Sequence, residues 1–234
     1  MIFIFFCALI IFLICFYILR ATYKVFIKAS GDINNKNLTI IIDPGHGGED
    51  GGSTSTYSKL PEKAINLEIS KSLNMLFKAS GYQTIMTRNS DNDISENEST
   101  IRKRKISDMK NRLKIANEET NAVLISIHQN KFEDNKSSGS QVFFSTNNPQ
   151  SENLAENIQN SLKINLNPSN ERKIKPADKN IYLLYNCKCP AVLVECGFLS
   201  NFQEAQKLNT KEYQKQIAFG IYNGFCEYIN GQLS

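Results

Sequence analysis

The chain has only two histidines, and both stand among residues suited to chemistry. His46 lies in Asp43-Pro-Gly-His-Gly-Gly and His128 in Ser126-Ile-His-Gln-Asn, each just after an apolar, β-branched run that reads as a strand. Open α/β sheets bind ligands beyond the carboxyl ends of their strands, so two imidazoles far apart in sequence can converge there. A lone histidine after a strand is more often a hydrogen-bonded turn residue than a metal ligand. Two of them, with carboxylates nearby, favour a shared site. Glu195 ends the apolar run Ala191-Val-Leu-Val. An acid there is costly unless it is paired, bound to metal or used as a base. Glu62 follows Pro61 at the start of a helical pattern, where the helix dipole favours a carboxylate whether or not it has a further task. Gly45, Gly47 and Gly48 let the chain turn sharply and take φ > 0 beside a ligand. No Gly-Lys-Ser/Thr follows them and no G-x-G-x-x-G is present, which removes the best argument for a nucleotide.

The elements that must position these residues alternate in type. Strands are expected at residues 38–43, 82–87, 122–127, 141–145 and 191–195. A helix is expected at 61–80, with Ile65, Ile69, Leu73 and Leu76 on one face and Gly81 ending it, and others at 107–119, 151–165 and 211–229. In the last, Tyr213, Ile217, Ile221 and Phe225 recur on one face. This is an α/β pattern, and runs as apolar as Val-Leu-Ile-Ser-Ile point to a mostly parallel or mixed central sheet covered by helices on both faces. Residues 89–114 stand apart as a polar loop followed by Arg102-Lys103-Arg104-Lys105, which reads as a solvated loop and exposed helix face or as a surface for an anionic polymer or a partner.

At 234 residues, with 41% hydrophobic and 21% charged residues, the chain suffices for one globular domain with a short extension. The net charge of +4 comes almost wholly from Arg20, Lys24, Lys28 and Lys36, so the domain beyond them is nearly neutral and has no global reason to bind nucleic acid. Residues 2–19 carry no charge and would form a helix of roughly 27 Å, just enough to cross a bilayer. The absence of a charged start and of an A-x-A site favours an anchor at 1–28 over a cleaved signal, followed by a linker at 29–36 and a domain at 37–234. Of six cysteines, Cys7 and Cys15 lie in the apolar stretch, and Cys187, Cys189, Cys196 and Cys226 lack the spacing of a zinc site and read as structural thiols.

In order along the chain stand Ile42-Asp-Pro-Gly-His-Gly-Gly-Glu-Asp-Gly-Gly, Glu62-Lys63 with Asn66-Leu67, Thr87-Arg88, Arg112 with Ala116-Asn117, Ser126-Ile-His-Gln-Asn130 and Pro190-Ala-Val-Leu-Val-Glu-Cys-Gly-Phe-Leu-Ser-Asn201. Taken together they resemble the zinc-dependent N-acetylmuramoyl-L-alanine amidases of the type 3 class. The resemblance implies that His46, Glu62 and His128 bind one Zn2+ with an open fourth position, and that Glu195 is the catalytic carboxylate. It implies hydrolysis of the amide joining N-acetylmuramic acid to the L-alanine of the stem peptide. Gln129, Lys131 and Cys196 depart from the family pattern, and none of them replaces an implied ligand.

The short anchored chain and the basic segment leading into Asp108-Met-Lys-Asn-Arg112 resemble the spore-cortex, germination-specific subgroup. That subgroup removes stem peptides so that a deacetylase can form muramic δ-lactam. The implied partners are the peptidoglycan glycan strand with its stem peptide, an accessory envelope protein and that deacetylase. The substrate implies a catalytic domain outside the cytoplasmic membrane, in the cell envelope or the forespore intermembrane space. Arg20, Lys24 and Lys28 after the apolar stretch would by themselves hold the domain inside, and the substrate overrules them. A non-catalytic peptidoglycan- or partner-binding module and a membrane-tethered scaffold are the competing readings.

Overall fold

The computed structural model describes residues 37–96 and 98–232, together with Ile14, Phe16, Tyr17 and Arg20. The expected anchor lies outside the described residues apart from those four, and the linker lies wholly outside them. Among the described residues no helix is long and apolar enough to cross a membrane.

The strands are β1 (Thr39–Pro44), β2 (Gln83–Met86), β3 (Ala122–Asn130), β4 (Gln141–Phe144), β5 (Lys175–Pro176) and β6 (Ala191–Phe198), in one sheet of order β2-β1-β3-β6-β4-β5. β1 is parallel to β2 and β3, β3 to β6 and β4 to β5, while β4 runs antiparallel to β6. The helices are α1 (Glu62–Ala79), α2 (Ile101–Glu118), α3 (Gln150–Leu166), α4 (Tyr182–Asn186), α5 (Phe202–Leu208) and α6 (Lys211–Gln232). The expected α/β architecture is present, with a mixed sheet.

Its faces follow from strand alternation. Ile40, Ile42, Val123, Ile125, Val192 and Val194 join one cluster with side chains of α1, α3 and α6. Ile41, Leu124 and Leu193 point the other way, against Ala116 of α2 and Leu183 and Leu184 of α4. A strand covered on both faces must be apolar at every position, which is why β1 reads Ile40-Ile-Ile without a break. All three are 0% exposed, each stabilising the fold by roughly 1.5–3 kcal/mol.

Three expectations need correction, while the cysteine reading holds. β3 and β6 run on to Asn130 and Phe198, so His128 and Glu195 lie within strands, where the parallel ladder holds their backbones. α2 begins at Ile101, where the Thr100 hydroxyl accepts the Lys103 N–H at 3.3 Å, so the basic run forms its first turn. Cations oppose the helix dipole there. Acids of the loop after β1 offset them, with Arg104 paired to Glu49 and Lys105 to Asp50. β5, α4 and α5 were not anticipated, because two, five and seven residues are too few for a periodicity to show. Cys187 and Cys189 are free thiols whose sulfurs lie 3.4 Å apart.

Candidate active site

Register places the polar side chains before any of them touches. Asp43 pairs with Ser126 across β1 and β3, and His128 with Glu195 across β3 and β6. Alternation turns all four toward the α2 face of the sheet. His46 arrives on the loop after β1, and Glu62 from the N-terminus of α1, which packs on the opposite face and reaches over the strand ends.

His46, Glu62 and His128 meet there. Each offers a ligand atom, and these atoms all lie within 4.8 Å of one another. Glu62 Oε1 is 3.2 Å from His46 Nε2 and 3.0 Å from His128 Nδ1, and the imidazole centroids are 4.9 Å apart. The Glu62 carboxylate is itself locked: Oε1 also accepts the Gln129 N–H at 3.0 Å, and Oε2 the Ser53 N–H at 2.9 Å. Burial opposes its charge, but the two histidines outweigh that and hold it well below the usual carboxylate range. Two imidazole nitrogens and a carboxylate oxygen are the donors of a catalytic zinc, so the residues fit the implied ion. Gln129, a departure from the family pattern, also donates from its side chain to Asn66 Oδ1 at 3.1 Å and stiffens the same wall.

Glu195 sits beside this cluster with its Oε2 buried and without a hydrogen-bond partner. Burial raises its pKa to about 7, partly countered by the nearby histidines. A buried carboxylate with an oxygen that no donor caps is poised to exchange a proton near neutral pH.

The loop carrying His46 is held from beneath by two guanidinium groups. Arg88 donates to Pro44 O at 2.9 Å and Gly45 O at 3.0 Å. Arg112 donates to Pro44 O and His46 O, both at 2.8 Å. His46 has φ 64, a left-handed conformation that is strained for a residue with a Cβ. Arg112 on its carbonyl and Asp50 on its ring hold it there. Burial works against the imidazolium of His46, yet hydrogen bonds to Asp50 and Glu62 prevail and raise its pKa to about 9.

The expectation of positive φ holds at Gly47 and Gly48 but not at Gly45. Gly45 is required for a different reason: a Cβ there would lie 2.2 Å from His128 Nε2. Gly45→Ala is therefore expected to push the imidazole out of the cluster and weaken zinc binding by more than about tenfold while the fold persists. Zinc titration beside thermal unfolding checks this, and unchanged zinc affinity would refute it. Asp50, Asn66, Arg88 and Arg112 occur in the motifs but received no role from sequence.

A cleft of about 380 Å³ opens from His46, His128 and Glu195 between α2 and the segment leading into α4, with Met109, Ile181 and Leu193 as its apolar wall. A larger hollow of about 550 Å³ lies at the other end of the strands, around Leu38, Pro190 and Tyr228, away from all four site residues.

Two histidines and a glutamate whose ligand atoms converge, beside a buried carboxylate with one unpartnered oxygen at the strand ends of an α/β sheet, are the pattern of a candidate metal site in an enzyme domain. Residues 40–227 match the N-acetylmuramoyl-L-alanine amidase family, and the chain belongs to it. It is 38% identical over 191 residues to the germination-specific N-acetylmuramoyl-L-alanine amidase of Bacillus subtilis, covering 81% of this chain and 79% of that protein. It is 31% identical to the N-acetylmuramoyl-L-alanine amidase LytC of the same species, across 91% of this chain and 40% of LytC. Among solved structures, the CwlD amidase of Clostridioides difficile, in complex with the GerS lipoprotein, superposes with a TM-score of 0.79 at 39% identity, covering 82% of this chain and 98% of that one.

Proposed function

We propose that the domain at 37–234 hydrolyses the amide between N-acetylmuramic acid and L-alanine in peptidoglycan, with His46, Glu62 and His128 holding one Zn2+ and Glu195 as the catalytic carboxylate. The observation that carries this reading is the convergence of the three ligand atoms within 4.8 Å beside a carboxylate oxygen that has no partner. When bound there, zinc supplies Lewis-acid polarisation of the amide carbonyl and lowers the pKa of water. Glu195 takes the proton of the attacking water and delivers it to the departing amine, a shuttle suited to a pKa near 7. Arg88 and Arg112 keep the His46 loop in place. The apolar wall of Met109, Ile181 and Leu193 excludes water from one side of the cleft.

Family membership and likeness to the germination-specific amidase of Bacillus subtilis support a role in spore cortex, ahead of δ-lactam formation by a deacetylase. The GerS complex of the Clostridioides difficile relative supports an accessory envelope protein as a partner. The uncharged run at residues 2–19 supports an anchor, with the domain outside the cytoplasmic membrane. The activity is tested by zinc content and by muropeptide mass analysis after digestion with the purified full-length chain. About one zinc per chain and release of free stem peptide are expected, and intact muropeptides would refute the reading. For topology, a reporter active only after export, fused behind Ser234, is expected to respond and a cytoplasmic reporter to stay silent; the reverse would put the domain inside.

A further inference from the structure

We propose that Lys105 is a positioning residue of the metal centre: from the first turn of α2 it fixes the Asp50 carboxylate that orients His46. The inference rests on the reading of His46, Glu62 and His128 as metal ligands. His46 Nδ1 lies 2.9 Å from Asp50 Oδ2. The other oxygen of that carboxylate, Oδ1, is 2.7 Å from Lys105 Nζ and accepts the Gly52 N–H at 3.3 Å. With Nδ1 tied to Asp50, the ring presents Nε2 to the cluster, 3.2 Å from Glu62 Oε1. A carboxylate that orients a ligating imidazole sets its tautomer and angle.

The backbone of Asp50 is already fixed, because its N–H and carbonyl both bond to Gly47, at 3.0 and 2.9 Å. Its side chain is a quarter exposed and would turn freely about its own torsions if only the imidazole held it. The ammonium and the amide on the far oxygen remove that freedom. The neighbouring cation behaves differently. Arg104 pairs with Glu49, whose side chain is mostly exposed and points to no ligand of the cluster. The basic run thus delivers one cation to a carboxylate that holds a ligand and one to a carboxylate that does not.

The sign of the effect separates positioning from plain electrostatics. Coulomb repulsion alone predicts that removing a lysine near a cation site tightens metal binding. Positioning predicts that it loosens it. Zinc affinity is measured on the purified full-length chain by competition with a chromophoric chelator. Lys105→Met is expected to weaken affinity about tenfold, Lys105→Arg to restore it to within about threefold, and Asp50→Asn to weaken it by up to about 100-fold. Arg104→Met is expected to stay within about twofold of the unaltered chain or bind slightly tighter. Thermal midpoints should hold, because exposed ion pairs contribute little to folding. A Lys105→Met chain that binds zinc as well as or better than the unaltered chain overturns the proposal, as does an equal loss in Arg104→Met. If the unaltered chain takes up no zinc, the ligand reading fails and the proposal with it. If it takes up zinc and cleaves muropeptides while Lys105→Met is unaffected, the proposal alone fails.

Discussion

Glu195→Gln is expected to lower kcat on muropeptides by about 10²–10⁴-fold, the usual contribution of a positioned acid–base group. Glutamine keeps the volume and one oxygen of the carboxylate but cannot carry a proton. Glu195 supplies none of the three clustered ligand atoms, so zinc content and thermal stability should stay near those of the unaltered chain. Retained turnover would remove Glu195 from the mechanism. The pH profile sharpens the test. A base works as its carboxylate, and burial puts this one at about 7. Activity should therefore rise with pH as the group ionises and fall about tenfold per unit below its pKa. A dication held by the neighbouring ligands draws that pKa downward, so the acid limb lies at or below pH 7. The limb should be missing from the residual activity of the glutamine variant. A limb that persists there belongs to protonation of a metal-binding histidine.

Arg112→Met is expected to destabilise the fold by about 3–5 kcal/mol at neutral pH, because it strands a buried carboxylate. Arg112 is 4% and Asp43 1% exposed, and their ion pair is 2.6 Å long. Asp43 also accepts the Thr87 hydroxyl at 2.7 Å and the Ser126 hydroxyl at 2.6 Å. Burial alone would raise the pKa of Asp43, yet Arg112 and the two hydroxyls carry it down from 3.8 to about 2. A depressed folded-state pKa stabilises the fold above pH 3.8, and that contribution of about 2 kcal/mol is lost as pH falls through about 2. In the variant only the two hydroxyls and His128 still oppose burial, so the Asp43 pKa rises and the group takes up its proton more readily. The cost of the substitution should therefore be largest at pH 7 and shrink as pH falls toward 3. Urea unfolding at both values measures it, and a cost independent of pH would mean that lost packing, not the stranded charge, is responsible. Asp43→Asn in the same chain should recover part of the loss, since it removes the unpaired charge. Arg112 also holds His46 O at 2.8 Å, so zinc affinity should fall together with stability.

The five longer strands and the helices of α1, α3 and α6 were legible in the chain because each buries a face of fixed period. What escaped was short or lay where polar residues enter a strand. His128 looked like the residue after a strand because polar side chains seldom continue a buried one. The ladder carries it on to Asn130 since its partner Glu195 lies opposite, across the same sheet. The basic run at Arg102–Lys105 looked solvated, and its pairing with Glu49 and Asp50 depends on a loop more than fifty residues earlier. No local pattern records that.

By itself the sequence determined the α/β class, the buried strands and the family to which its motifs belong, because periodicity and residue chemistry are local properties. Only the tertiary structure decided that Glu62 from one layer meets two histidines from another, that Gly45 is small to make room for His128, and that Arg88, Arg112, Asp50 and Lys105 hold the His46 loop. Those contacts join segments far apart in the chain, and their geometry is fixed by strand register and helix packing, which exist only once the sheet has formed.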